Sequence, residues 1–172
     1  VTPPPTGAPV DAGLDAARRA LARYDDALTA LAVEPSAVLD PNHPARTAFL
    51  ATVEPGSALV DDVLTDLTDR LVEARSVVRP QHGRPSWEHH ATAARRIGDT
   101  VDVSWCGRST GVAVDVATGE VTDGTVTASA GVGLLRRGAG GWVVAALDEL
   151  DRAVVGDGTG DHAGPPTCPG PG

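Results

Sequence analysis

The chain has no lysine and no methionine among its 172 residues, only two cysteines and only five aromatic side chains. Each shortage excludes something. Two cysteines are too few for a scaffold held by disulfides alone, and no apolar run approaches the roughly 18 residues that a membrane helix needs. All 14 cations are arginines, set against 23 acidic residues for a formal net charge of −9. Nucleic acid is thereby excluded as a partner, because phosphate binding needs clustered cations that release counterions. Hydrophobic residues make up 41% of the chain and charged residues 22%, enough to bury a core through the middle of the sequence. The length fits one domain.

The ends differ from the middle. Residues 1–9 read VTPPPTGAP and residues 156–172 read GDGTGDHAGPPTCPGPG, both rich in proline and glycine and without an apolar period. They are expected to form a tether over 1–10 and a tail over 156–172, leaving 11–155 as the domain. With no initiating methionine, the chain reads as a processed or trimmed product whose targeting segment is missing. A Pro/Thr-rich start suits an exported protein, so the expected location is extracytoplasmic, secreted or held at the envelope by a lost lipoprotein-like anchor. Cys106 and Cys168 are candidates for a disulfide, the alternative being two free thiols. A loop of about 62 residues closed this way would stabilise the fold by roughly 4 kcal/mol in the chain-entropy account, and it requires an oxidising compartment.

Periodicity then divides the middle. From Asp11 to Ala32, Leu14, Leu21 and Leu28 repeat every seven residues beside Ala17, Tyr24 and Leu31, which predicts one helical face, with Arg18, Arg19, Arg23, Asp25 and Asp26 largely on the solvated side. Pro35, Pro41 and Pro44 interrupt the chain, and a short helix is expected over Ala45 to Val53. Ser57 reads as the N-cap of another helix carrying Leu59, Val60, Val63, Leu64, Leu67, Leu71 and Val72 and closing at Pro80.

After Pro85 the period changes from 3.6 to 2. Trp87, His89, Ala91, Ala93, Arg95 and Ile97 share one strand phase; Val101, Val103 and Trp105 alternate with Asp102, Ser104 and Cys106. Gly107 to Gly111 reads as a bulge or loop, Val112 to Val116 as a strand, and Ala117 to Glu120 as a hairpin turn. Thr125 to Leu135 and Trp142 to Leu147 are the last strands, both expected to be central because both phases are apolar, with a turn at Gly138 to Gly141. Helices followed by hairpin-linked strands predict an α+β fold with N-terminal helices packed on a curved antiparallel sheet of about four strands.

This order of elements, with GDTVDVSWC at Gly98 to Cys106, VDVATGEV at Val114 to Val121 and GLLRRGAGGWVVAAL at Gly133 to Leu147, resembles the nuclear transport factor 2-like superfamily, the cystatin-like α+β roll, and most closely its exported actinobacterial members. The likeness spans about Asp11 to Val155. It implies a cone-shaped roll, a fold that hosts isomerases, hydrolases, ligand binders and adaptors. Where the family carries Asp or Asn after the cysteine, this chain has Gly107. The resemblance also implies that an enzyme would use a pocket carboxylate as general base with a helix tyrosine as donor, and Tyr24 is of that type.

The residues themselves supply no matching acid. Asp102 and Asp115 fall on the polar strand phase, Glu88 is out of phase, and Asp25 and Asp66 lie beside the apolar rows. His89 and Arg95 stand out on an otherwise apolar phase, where buried polar groups need partners; they are candidates for holding a polar or anionic ligand, the alternative being a register shifted by one residue. Tyr24, His89, Arg95 and Trp105 are therefore the candidate ligand-binding residues, and no catalytic residue is assigned. No metal site is expected, since His89 and His90 point to opposite strand faces and His43, His82 and His162 are scattered; the acids Asp157 and Asp161 lack calcium-loop spacing. No nucleophile elbow and no phosphate loop occurs, and no cofactor is expected.

The favoured reading is a non-enzymatic exported roll that binds a protein partner or small ligand, as monomer or homodimer, without nucleic acid and without a membrane span in this chain. The alternative is a small-molecule isomerase or cyclase-type enzyme with its pocket between helices and sheet. With so few aromatics, the pocket is expected to be walled by Val, Leu and Ala, with little flat surface for stacking.

Overall fold

The computed structural model describes residues 10–157, with side chains described for 12–156; residues 1–9 of the tether, most of the tail and Cys168 lie outside the described residues, and Val10 opens the first helix. Four helices precede seven strands: α1 Val10–Ala32, α2 Pro35–Leu39, α3 Pro44–Leu50, α4 Ala58–Val72, β1 Ser76–Arg79, β2 Trp87–Ile97, β3 Thr100–Ser109, β4 Val112–Asp115, β5 Val121–Asp123, β6 Thr125–Gly138 and β7 Gly141–Asp157. The fold is α+β. It has two antiparallel sheets rather than one of four strands, ordered β2-β3-β6-β7 and β1-β4-β5.

The heptad row of α1 is its buried face. Ala17, Leu21, Tyr24, Leu28 and Leu31 are buried against the inner side of the larger sheet, where Ala91, Val101, Val103, Trp105, Leu135 and Val144 meet them. At about 25 cal/mol for each Å² of apolar area, this burial is the main favourable term of the domain. Phe49 of α3 closes one side of that core, fully buried with its ring 5.9 Å from that of Tyr24. Arg23 crosses to the sheet to donate from Nη2 to the Trp142 carbonyl at 2.6 Å, while Arg96 and Arg137 sit over the Trp142 ring, so arginine supplies cation–π contacts as well as charge.

Three expectations are corrected here. The helix beginning after Ser57 ends at Val72, not near Pro80: Arg75 adopts a left-handed φ of 52°, and Ser76–Arg79 turns into the strand β1, paired with β4. Ser57 does hold the N-cap position of α4, but the capping bond expected of its hydroxyl is absent and the hydroxyl is buried without a partner. Gly107 lies inside β3 rather than in a loop, and its lack of a side chain is required, because a Cβ there would run into the Glu88 carbonyl of β2. This close strand approach is the reason for glycine at this position.

β6 is central, but β7 is an edge strand and extends ten residues past Leu147. The first part of its free edge is covered. Val53 bridges Val144, the Glu54 amide donates to the Val144 carbonyl at 2.8 Å, and the Val144 amide donates to Thr52 at 2.9 Å. Covering a sheet edge with a loop removes unpaired backbone groups that would otherwise recruit another strand.

Candidate functional site

The strand phase predicted for β2 holds only for its first half. A register shift between Ala91 and Ala93 inserts one residue, and a one-residue insertion exchanges the faces of everything beyond it. Trp87, His89 and Ala91 therefore point inward, whereas past the bulge it is Ala94 that packs on the core and Arg95 and Ile97 are exposed. Arg95 does not join the other candidate residues; it makes no hydrogen bond or ion pair among the described residues. Arg95→Ala should leave stability within about 0.5 kcal/mol of wild type in urea unfolding; a loss above about 1 kcal/mol would show that a contact has been overlooked.

Tyr24, His89 and Trp105 do come together. The His89 ring packs edge-on to both neighbours, 4.8 Å from Trp105 and 5.9 Å from Tyr24 between centroids. Trp105 is fixed by its own indole N–H, which donates to the Val132 carbonyl at 3.0 Å. The three, with Trp87, line a cavity of about 430 Å³ between α1, α4 and the inner face of the large sheet. Leu28, Leu59, Val63, Leu67 and Leu147 supply its aliphatic wall, and Asp62, Asp66, Glu149 and Arg152 its polar part. Three of the chain's five aromatics thus border one cavity, and the expectation of a wall with little flat surface is corrected.

The inward carboxylate that sequence reasoning did not find is Asp25. It is 4% exposed and clamps α1 to β2 through both oxygens. The His89 backbone N–H donates to Oδ2 at 2.7 Å, and the His89 Nδ1 lies 2.5 Å from Oδ1. With Asp25 ionised, Nδ1 carries a proton and Nε2 is left for other partners; among the described residues it has none. Burial pushes the Asp25 carboxyl up from 3.8, partly offset by the bonds from His89. The same pair faces a second cleft of about 420 Å³ lined also by Arg18, Asp26, Glu88 and His90.

Tyr24 is 3% exposed, yet its hydroxyl has no hydrogen-bond partner among the described residues. Burial pushes its pKa up, and the neighbouring Asp25 charge adds to the shift. The phenol is therefore neutral and free to donate or accept. Glu149 at the rim accepts from the Ser129 hydroxyl at 2.6 Å and lies 3.8 Å from Arg152, Asp66 pairs with Arg70 at 2.8 Å, and Asp62 has no partner among the described residues. No group of three His, Cys, Asp or Glu side chains suited to a metal ion occurs among the described residues. Cys106 is buried and disulfide-bonded; Cys168 lies outside the described residues.

Fold and site together define an α+β domain whose helices cover a sheet and leave one aromatic-lined cavity. No family model matches the chain, and no curated protein matches it. Among solved structures it is similar to the intermembrane space region of the chloroplast protein ARC6, with a TM-score of 0.55 over 80% of this chain and 95% of that one, at 10% identity. Identity that low makes it a likeness of fold. No described helix is long and apolar enough to cross a membrane.

Proposed function

We propose that the domain is a small-molecule binder whose ligand occupies the cavity between α1, α4 and the large sheet, in a roll of the nuclear transport factor 2-like kind working outside the cytoplasm. One observation carries this reading: the cavity wall presents two polar atoms, the Tyr24 hydroxyl and His89 Nε2, that no described residue satisfies, on side chains otherwise held rigidly. Neither atom is among the fully buried unpaired ones, so each keeps some open surface, and a concave apolar site with a few convergent polar atoms is the usual form of a ligand pocket. An extracytoplasmic location is supported by the disulfide-bonded Cys106.

Tyr24→Phe tests it. Because the hydroxyl has no protein partner, the variant should unfold within about 0.5 kcal/mol of wild type, while ligands found by tryptophan-fluorescence screening of a fragment library should bind about tenfold more weakly, one hydrogen bond to a buried group being lost. Hits that ignore this substitution, or a library without hits, would overturn the proposal.

A second reading, an isomerase or cyclase-type enzyme, is favoured by the Asp25–His89 pair. A carboxylate that fixes the imidazole tautomer prepares Nε2 to take a proton. Under that reading His89→Gln abolishes turnover of a bound ligand while retaining its binding; under the binding reading no turnover exists to lose.

A further inference from the structure

The cavity carries more information than its volume, and what it says about ligand class rests on the binding reading above. Its charged lining, His89 apart, is three acids against one base: Asp62, Asp66 and Glu149 against Arg152. A fourth acid, Asp25, stands directly behind the imidazole. Arg152 is engaged with Glu149, and Asp66 has its own arginine, so the charge left over is negative and Asp62 holds it at the exposed rim. Beside these acids stand the rings of Trp87, Trp105 and Tyr24, and aromatic faces attract cations and repel anions. The two unsatisfied polar atoms agree in sign. With Nδ1 donating to Asp25, the tautomer so fixed offers a lone pair at Nε2, and the Tyr24 oxygen accepts as readily as it donates.

We propose that the cavity selects an organic cation, an ammonium group on an apolar body, with the ammonium N–H groups donating to His89 Nε2 and the Tyr24 oxygen and the body resting on the Trp87, Trp105 and leucine wall. Carboxylates and phosphates are disfavoured by the same arrangement, which narrows the polar or anionic ligand expected at His89 and Arg95 to one that is not an anion. Exposed Asp62 acts as the outer attraction, sensitive to salt.

Three probes of one shape decide the question: 2-phenylethylamine, 2-phenylethanol and 3-phenylpropanoate, each titrated by calorimetry into the full chain at neutral pH and low salt. The amine is expected to bind at least about tenfold more tightly than the alcohol, and the carboxylate most weakly. Asp62→Asn, an exposed change that leaves the fold intact, should weaken the amine about fivefold and leave the alcohol unchanged. If the alcohol matches the amine within about twofold, or the carboxylate binds best, the cation proposal fails while the cavity stands as a ligand site. If none of the three binds, the cation proposal fails, and the fragment screen alone decides whether the cavity is a ligand site.

Discussion

Asp25→Ala is expected to destabilise the domain by about 3–4 kcal/mol, read as the shift in urea midpoint at constant slope. The carboxylate ties α1 to the inward half of β2 at two points, and its loss orphans two donors at once, the His89 amide and Nδ1. An orphaned buried donor costs the desolvation it can no longer recover. Asp25→Asn retains one acceptor and should cost about half as much. A loss below about 1 kcal/mol for the alanine variant would mean that water from the neighbouring cleft replaces the carboxylate fully. The pH dependence has an unusual sign. Because the folded carboxyl titrates above 3.8, the native state takes up a proton there before the unfolded chain does. Stability from this group therefore falls as pH rises through that window and is regained as pH falls. Wild type should gain on Asp25→Asn on acidification. Arg18, Asp26 and Glu88 share the cleft, and the difference between the two proteins cancels what they contribute in common, whereas the interactions of His89 and His90 with the Asp25 charge remain in it. The raised pKa and the large cost of deletion are compatible: burying the pair confers little net stability, but removing half of it leaves the other half unpaired.

Asp25 is legible in the sequence from its position on the helix, though not from its charge. It lies four residues after Leu21 and three before Leu28, which on a 3.6-residue period is the buried face itself. The helical and strand periods gave α1, α4, β2, β3 and β6 because each of these carries an apolar face long enough to outweigh local preference. β1 and β7 were obscured for opposite reasons. Val77 and Val78 continue an apolar helical pattern, and only the positive φ at Arg75 ends it, a conformation that arginine does not announce. Beyond Leu147, β7 carries charged residues and exposed apolar ones on both phases, Leu150 and Val154 among them, since the strand there is held by its ladder to β6 rather than by burial. The site was half visible. Tyr24, His89 and Trp105 follow from phase alone, whereas Arg95 was misplaced by a bulge whose flanking residues, Ala91, Thr92 and Ala93, contain no glycine or proline to mark it. Asp62 and Glu149 come from elements that meet only in three dimensions, and the gathering of three scarce aromatics at one cavity cannot be read from their number.

Gly131 marks the point where sheet geometry and cavity shape depend on the same atom. A Cβ at this position in β6 would run into the Asp148 carbonyl of β7 and approach the Trp105 ring at 2.7 and 2.9 Å. The ring cannot yield outward, because its indole N–H is bonded to the Val132 carbonyl on the neighbouring residue, and the strand cannot yield without breaking the ladder at a place already irregular, where the register shifts between Ala130 and Gly131. Gly131→Ala is therefore expected to cost about 3 kcal/mol, the upper end for overpacking, and to lower Tm by roughly 6–12 °C for a domain of this size. Trp105 forms part of the cavity wall, so the residual folded protein should also bind any cavity ligand more weakly, with altered tryptophan emission. Gly133→Ala is the matched comparison: its Cβ also meets β7, at 2.8 Å from the Ala146 carbonyl, but its other neighbours are the Leu147 and Val103 side chains, which can rotate. A Gly131→Ala variant that melts within about 2 °C of wild type would show that β7 slides to admit a methyl group, and would place the rigidity of the cavity in the helices instead.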